Sequence, residues 1–139
     1  MFDGKSIIVT GASGGIGVPL VRRLLLNGAK VVAVDSDPNG EVKLKDAIRD
    51  TTGLIYHHSK IENEAACRAI LGKETKIYGL AHLAGIFEPD NMKPGDVENI
   101  YDPVMEANIR NVYTLYSIIR EAMLREKSAR VVLVSSLAF

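Results

Sequence analysis

Tryptophan is absent, and cysteine occurs once, at Cys67. A single thiol cannot close an intramolecular disulfide, so no disulfide framework holds this chain, and a reducing, cytoplasmic setting is expected. Three histidines and one cysteine, scattered along the sequence, do not give the ligand spacing of a metal centre, so no metal site is expected. Neither sign of charge is in excess. Lys+Arg and Asp+Glu both number 17, and the formal net charge is zero. That balance gives no basic footprint for nucleic acid or an anionic membrane surface. No apolar stretch reaches the ~18 residues of a membrane span. The start, Met1-Phe2-Asp3-Gly4-Lys5, lacks the charged lead and apolar run of a secretory signal. What is present is an ordinary globular composition, 47% hydrophobic and 24% charged. The 139 residues suit one domain, 1–139, large enough to bury roughly two-thirds of its unfolded surface.

Apolar runs of two kinds alternate along the chain. Ser6–Val9, a short β-branched run that stops at a Gly cluster, and Lys30–Val34 read as buried strands, and Leu54–His57, Tyr78–Ala84 and Arg130–Val134 read as further strands. Between them, Ile16–Leu26, Glu41–Arg49, Glu62–Leu71 and a long stretch over Val97–Arg125 read as helices. Gly28 ends the first helix, and Asp35-Ser36-Asp37-Pro38-Asn39-Gly40 is turn chemistry. Strands alternating with helices make right-handed βαβ units and a parallel sheet covered on both faces. The expectation is an α/β, doubly wound, Rossmann-like sheet of five strands ordered 3-2-1-4-5. Its ligand crevice should lie at the carboxyl ends of strands 1 and 4, where the order reverses.

The strongest local signal is Thr10-Gly11-Ala12-Ser13-Gly14-Gly15-Ile16-Gly17, which follows the first strand and opens the first helix. In that context Gly11 permits a tight turn, Gly15 lets backbone approach a pyrophosphate, and Gly17 allows close helix packing. The helix N-terminus offers unpaired N–H groups and partial positive charge to the anion. Asp35 ends the second strand, 24 residues after Gly11. A carboxylate there accepts hydrogen bonds from ribose hydroxyls and repels a 2′-phosphate. No Lys or Arg lies between Gly11 and Gly17, and Ser36 follows Asp35. NAD is therefore expected in preference to NADP.

In these motifs the chain resembles the short-chain dehydrogenase/reductase family over all 139 residues. Thr10–Gly17 is similar to that family's Thr-Gly-x-x-x-Gly-x-Gly loop. His82-Leu83-Ala84-Gly85 stands where the family usually has Asn-Asn-Ala-Gly, and Asn108 and Ser136 stand where it places a catalytic Asn and Ser. The resemblance implies that Gly11, Ser13, Gly15 and Gly17 bind the cofactor phosphates, with Ile16 at the nicotinamide side. It implies that Asp35 binds the ribose and that Ala84 and Gly85 pass close to the cofactor. Asn108 would hold helix backbone and an ordered water, and Ser136 would hydrogen-bond the substrate oxygen. The implied activity is hydride transfer between nicotinamide and a small alcohol or carbonyl substrate. Departures are His82 and Leu83 for two Asn, Asn111 where Gly is commoner, and His57-His58-Ser59-Lys60 where an Asp usually ends the third strand. His-Leu-Ala-Gly is also similar to the extended, epimerase-like branch. The long helix and the 28 residues from Asn108 to Ser136 favour the short-chain branch.

The family resemblance also implies a catalytic Tyr with a Lys four residues on, about a dozen residues after the Ser, as the proton-transfer pair. The sequence given stops three residues after Ser136, so the expectation is the first half, or slightly more, of such an enzyme, inactive by itself. Tyr56-His57-His58-Ser59-Lys60 matches the pair letter for letter, but it falls on a predicted strand, where four residues span about 13 Å. A non-catalytic dinucleotide-binding module is the alternative reading. Exposed apolar surface on the long helix and fifth strand is expected to drive homo-oligomer formation.

Overall fold

A computed structural model describes residues 1–87 and 97–135. Five parallel strands form one sheet in the order β3-β2-β1-β4-β5, as the alternation predicts. They are β1 Ser6–Thr10, β2 Lys30–Asp35, β3 Leu54–His58, β4 Gly79–His82 and β5 Arg130–Leu133. Register is set by pairs such as Ile8 with Val32 and Val9 with Ala81. Helices α1 (Gly17–Leu26), α2 (Gly40–Ala47) and α3 (Glu64–Leu71) fill the first connections. The start of α3 lies two residues later than the periodicity suggests, because Asn63 caps it by accepting the Ala66 N–H at 2.9 Å.

Alternation along each strand sends side chains to opposite faces and creates two cores. Ile7, Val9, Val31 and Ala33 pack with Val21 and Leu24 of α1 and Leu44 of α2. Ile8, Val32, Val34 and Leu80 pack with Cys67 and Ile70 of α3 and with Leu115 and Ile119 of the last helix. Each fully buried aliphatic side chain contributes about 1.5–3 kcal/mol, so both faces of the sheet are anchored.

The long last helix is composite, which the sequence pattern does not foretell. Val97–Tyr101 is π-helical, Asp102–Met105 (α4) is α-helical, Glu106–Arg110 is π-helical again, and Asn111–Leu124 (α5) is regular α-helix. At the amino ends of the strands, side chains close the sheet. Glu74 receives Lys30 and the Ser6 hydroxyl, and Lys5 pairs with Glu126 at 2.8 Å. The side chains of β5 are exposed along its length.

Candidate functional site

At the opposite end of the sheet, a crevice of about 430 Å³ opens at the carboxyl ends of β1, β2 and β4. Gly11, Asp35, Ala84 and Gly85 line it, together with Val34, His82, Ser59 to Glu62, and Pro103, Glu106, Ala107 and Asn111 of the composite helix. The strand order reverses between β1 and β4 at this place, which leaves a gap that no crossover connection covers.

The glycine loop borders the crevice, and its sequence is dictated by close approach. Gly11 has φ +65°, and a Cβ there would lie 2.8 Å from the Ala84 nitrogen. A Cβ on Gly17 would lie 2.2 Å from the Gly11 carbonyl oxygen. Gly17 therefore lets the start of α1 pass close to the backbone that leaves β1. Gly15 has open space where its Cβ would be. The N–H groups of Gly15, Ile16 and Gly17 meet no acceptor among the described residues, so the start of α1 presents donors and positive potential to an anion. The Ile16 side chain is 62% exposed beside them.

Asp35 also lines the crevice, against the glycine loop. Its Oδ2 accepts the Ser13 N–H at 2.9 Å, and its Oδ1 accepts the Asp37 N–H at 3.0 Å. The carboxylate thus ties the glycine loop to the turn after β2 and keeps lone pairs for further donors. Asn39 N–H and Lys43 in turn hold Asp37, and the Lys43 ammonium, with the Asn39 amide, keeps its carboxyl below the ordinary carboxylate range.

Between β1 and β4 the register sets Thr10 beside His82. The Thr10 hydroxyl accepts the Ala84 N–H at 3.2 Å and lies 2.9 Å from His82 Nδ1. Thr10 is fully buried, and which of the two groups donates in this contact follows the histidine tautomer; His82 Nε2 is buried without a partner among the described residues. An unmade hydrogen bond of this kind costs about 1–3 kcal/mol. Burial holds the His82 pKa below its ordinary value, so the ring is neutral near pH 7. Neither Thr10 nor His82 stands out in sequence as a pair, because 72 residues separate them.

Asn108 sits in the second π-helical segment, next to the crevice. It receives the Ile86 N–H at Oδ1 and donates from Nδ2 to the Ile86 carbonyl, both at 2.9 Å. The partner is the loop after β4, where the resemblance implies helix backbone. Gly85 allows this approach, since a Cβ there would fall 2.7 Å from Asn108 Oδ1. π-helical turns are rare and recur at functional sites, and here one presents this amide. Ser136 lies outside the described residues.

Tyr56 and Lys60 are not arranged as a proton-transfer pair. Tyr56 is on β3 and packs on the α1/α2 side, with its hydroxyl donating to the Asp37 carbonyl at 3.3 Å, whereas Lys60 follows the strand and lines the crevice. Burial, with the nearby charges of Asp35, Asp37 and Glu41, pushes the Tyr56 phenol up, opposite to what a general base needs. Among the described residues no cluster of His, Cys, Asp and Glu could hold a metal ion, and no helix is long and apolar enough to cross a membrane.

Residues 5–139 match the family described as short chain dehydrogenase. The 3-oxoacyl-(acyl-carrier-protein) reductase FabG of Escherichia coli (strain K12) is 28% identical over 140 residues, covering 97% of this chain and 56% of its own length. Levodione reductase superposes with a TM-score of 0.84 at 24% identity, covering 98% of this chain and 55% of that one, and shows the fold. The 3-ketoacyl-(acyl-carrier-protein) reductase from Brucella melitensis complexed with NADH gives a TM-score of 0.71 at 27% identity, covering 86% and 50% respectively. The chain spans about half the length of the curated relatives it matches.

Proposed function

The chain belongs to the short chain dehydrogenase family, and from that premise we propose that it holds NAD(H) as the cofactor-binding part of an oxidoreductase acting on an alcohol or carbonyl. The observation that carries this reading is one crevice lined by a carboxylate, with free amide donors beside it. That arrangement matches a molecule with a pyrophosphate in its middle and a ribose diol at one end.

The residues fit the group. Gly11, Ser13, Gly15 and Gly17 would hold the pyrophosphate through the start of α1, with Ile16 on the nicotinamide side. Asp35 would accept hydrogen bonds from the adenosine ribose, and its charge disfavours a 2′-phosphate. Ala84 and Gly85 would border the dinucleotide, with Asn108 fixing the loop that carries them. Ser136 would hydrogen-bond the substrate oxygen and steady charge developing there. Bound NAD(H) supplies or accepts the hydride. The names of the two acyl-carrier-protein reductases above, on 3-oxoacyl and 3-ketoacyl groups, support a ketone or secondary alcohol as substrate class. Because Tyr56 and Lys60 do not form the proton-transfer pair, the 139 residues by themselves are expected to bind cofactor without turnover. A homo-oligomer in the cytoplasm is the expected working state.

Thermal unfolding with each cofactor tests the reading. Ligand at about 100 times its Kd stabilises by ~2.7 kcal/mol, a shift of several degrees for a chain of this size. The shift is expected with NAD(H), little with NADP(H), and less with NAD(H) after Asp35→Ala. A larger shift with NADP(H) would remove the proposed role of Asp35.

A further inference from the structure

The turn after β2 carries a second acid and a cation whose arrangement bears on which dinucleotide is accepted. The Asp37 N–H is bonded to Asp35 Oδ1, so the two acids are neighbours on one turn. Asp37 Oδ1 accepts the Asn39 N–H at 2.8 Å, while Oδ2 is paired with Nζ of Lys43, on the first turn of α2. Lys43 is also within electrostatic reach of Asp35. The hydroxyls of Ser13 and Tyr56 converge on the same place. A Cβ on Gly40 would lie 2.9 Å from Ser13 Oγ and 2.2 Å from the Tyr56 oxygen. The Tyr56 hydroxyl there is bonded to the Asp37 carbonyl, so the Lys43 ammonium is the charge beside the turn that carries Asp35 and the group suited to a phosphate. The ammonium is committed elsewhere. Lys45, the other cation of α2, pairs with Glu41 and is likewise engaged.

We propose that Asp37 is a specificity-determining residue that acts through Lys43: by holding the lysine, it denies a cation to a phosphate on the ribose beside Asp35. The inference rests on the reading that Asp35 receives the adenosine ribose. Discrimination then has two parts. Asp35 repels the 2′-phosphate directly, and the Asp37–Lys43 pair removes the one α2 cation placed to offset that repulsion. The pair is open to solvent, with side chains 28% and 56% exposed. Exposed pairs are individually weak, so neutralising Asp37 releases Lys43 without cost to the fold.

Asp37→Asn keeps the acceptor for the Asn39 N–H and removes only the charge. The affinities of this variant for NAD+, NADP+, 5′-AMP and 2′-AMP are measured by calorimetry beside those of the unaltered chain, Lys43→Met and the double variant. The expected result is a roughly fivefold gain for NADP+ and 2′-AMP in Asp37→Asn, of the size of one exposed charge pair, with NAD+ and 5′-AMP within about twofold. The gain should disappear in the double variant and shrink as salt is raised. Equal gains with and without Lys43 would overturn the proposal, because loss of Asp37's own repulsion would then explain them. No gain, with NAD+ binding intact and weakened by Asp35→Ala, would overturn it while sparing the functional reading. Absence of NAD+ binding in the unaltered chain would sink both.

Discussion

The two ends of the sheet differ in how completely their polar groups are satisfied. At the amino ends, Glu74 takes Lys30 and Ser6, Glu126 takes Lys5, and the Tyr78 ring lies under the Lys5 ammonium at 5.2 Å and packs on Phe2. At the carboxyl ends, three amides at the start of α1 and the Nε2 of His82 have no partner among the described residues, and a crevice stands open. The same strands run through both ends, so the contrast reflects neither strand composition nor sheet geometry. One end uses its side chains to finish the fold; the other leaves polar groups without protein partners among the described residues. Unmade hydrogen bonds are costly when buried, and the closed end helps offset what the open end leaves unmet.

The contrast can be broken from the open end first. Gly17→Ala puts a methyl against two backbone carbonyls, at 2.2 and 2.5 Å, which no side-chain movement relieves. A loss of about 3 kcal/mol is expected in urea unfolding, together with loss of cofactor binding. A near-neutral result would mean that the loop is free to reshape. Next in size is Glu74→Ala at the closed end. It strands the buried Ser6 hydroxyl and frees Lys30, and about 2 kcal/mol should be lost, with NAD(H) affinity unchanged. Weakened binding in this variant would show that the two ends are coupled through the strands. The smallest effect is titration of His82. Its folded pKa lies below the unfolded value, so the unfolded chain takes up the proton first. The stability contribution is complete above the ordinary value and falls as the pH drops below ~6.5. Urea midpoints at about pH 7.5 and about pH 5.5 should therefore differ, and His82→Asn should reduce the difference; an unchanged difference in that variant would assign the acid loss to other groups.

Much of this architecture is legible in the sequence. Strand order follows from alternation and handedness, and the glycine loop announces itself by lying between a β-branched run and an amphipathic helix. Asp35 is found by its place at the end of the second strand. What escapes is set by register and backbone hydrogen bonding. The Thr10–His82 contact exists only once β1 and β4 are aligned, although His82 is visible as a departure from the family pattern. The π-helical turns leave the apolar spacing of Val97–Arg125 almost unchanged, so periodicity reads them as one helix. The link from the Ser13 amide to Asp35 involves a backbone group and has no signature in residue type. Two of the candidate residues, Asn108 and Gly85, are explained together by a close approach that neither position suggests by itself.

That Ser13–Asp35 bond has a thermodynamic consequence. It ties the carboxylate directly to the glycine loop, so whatever settles on Asp35 also restrains that loop. Fragments of the cofactor should then bind with positive linkage: an adenosine piece spends part of its own free energy ordering the loop, and a phosphate arriving second finds that ordering already done. The whole dinucleotide would gain more than the sum of its parts, and a mutation of Asp35 would be felt at the pyrophosphate as well as at the ribose.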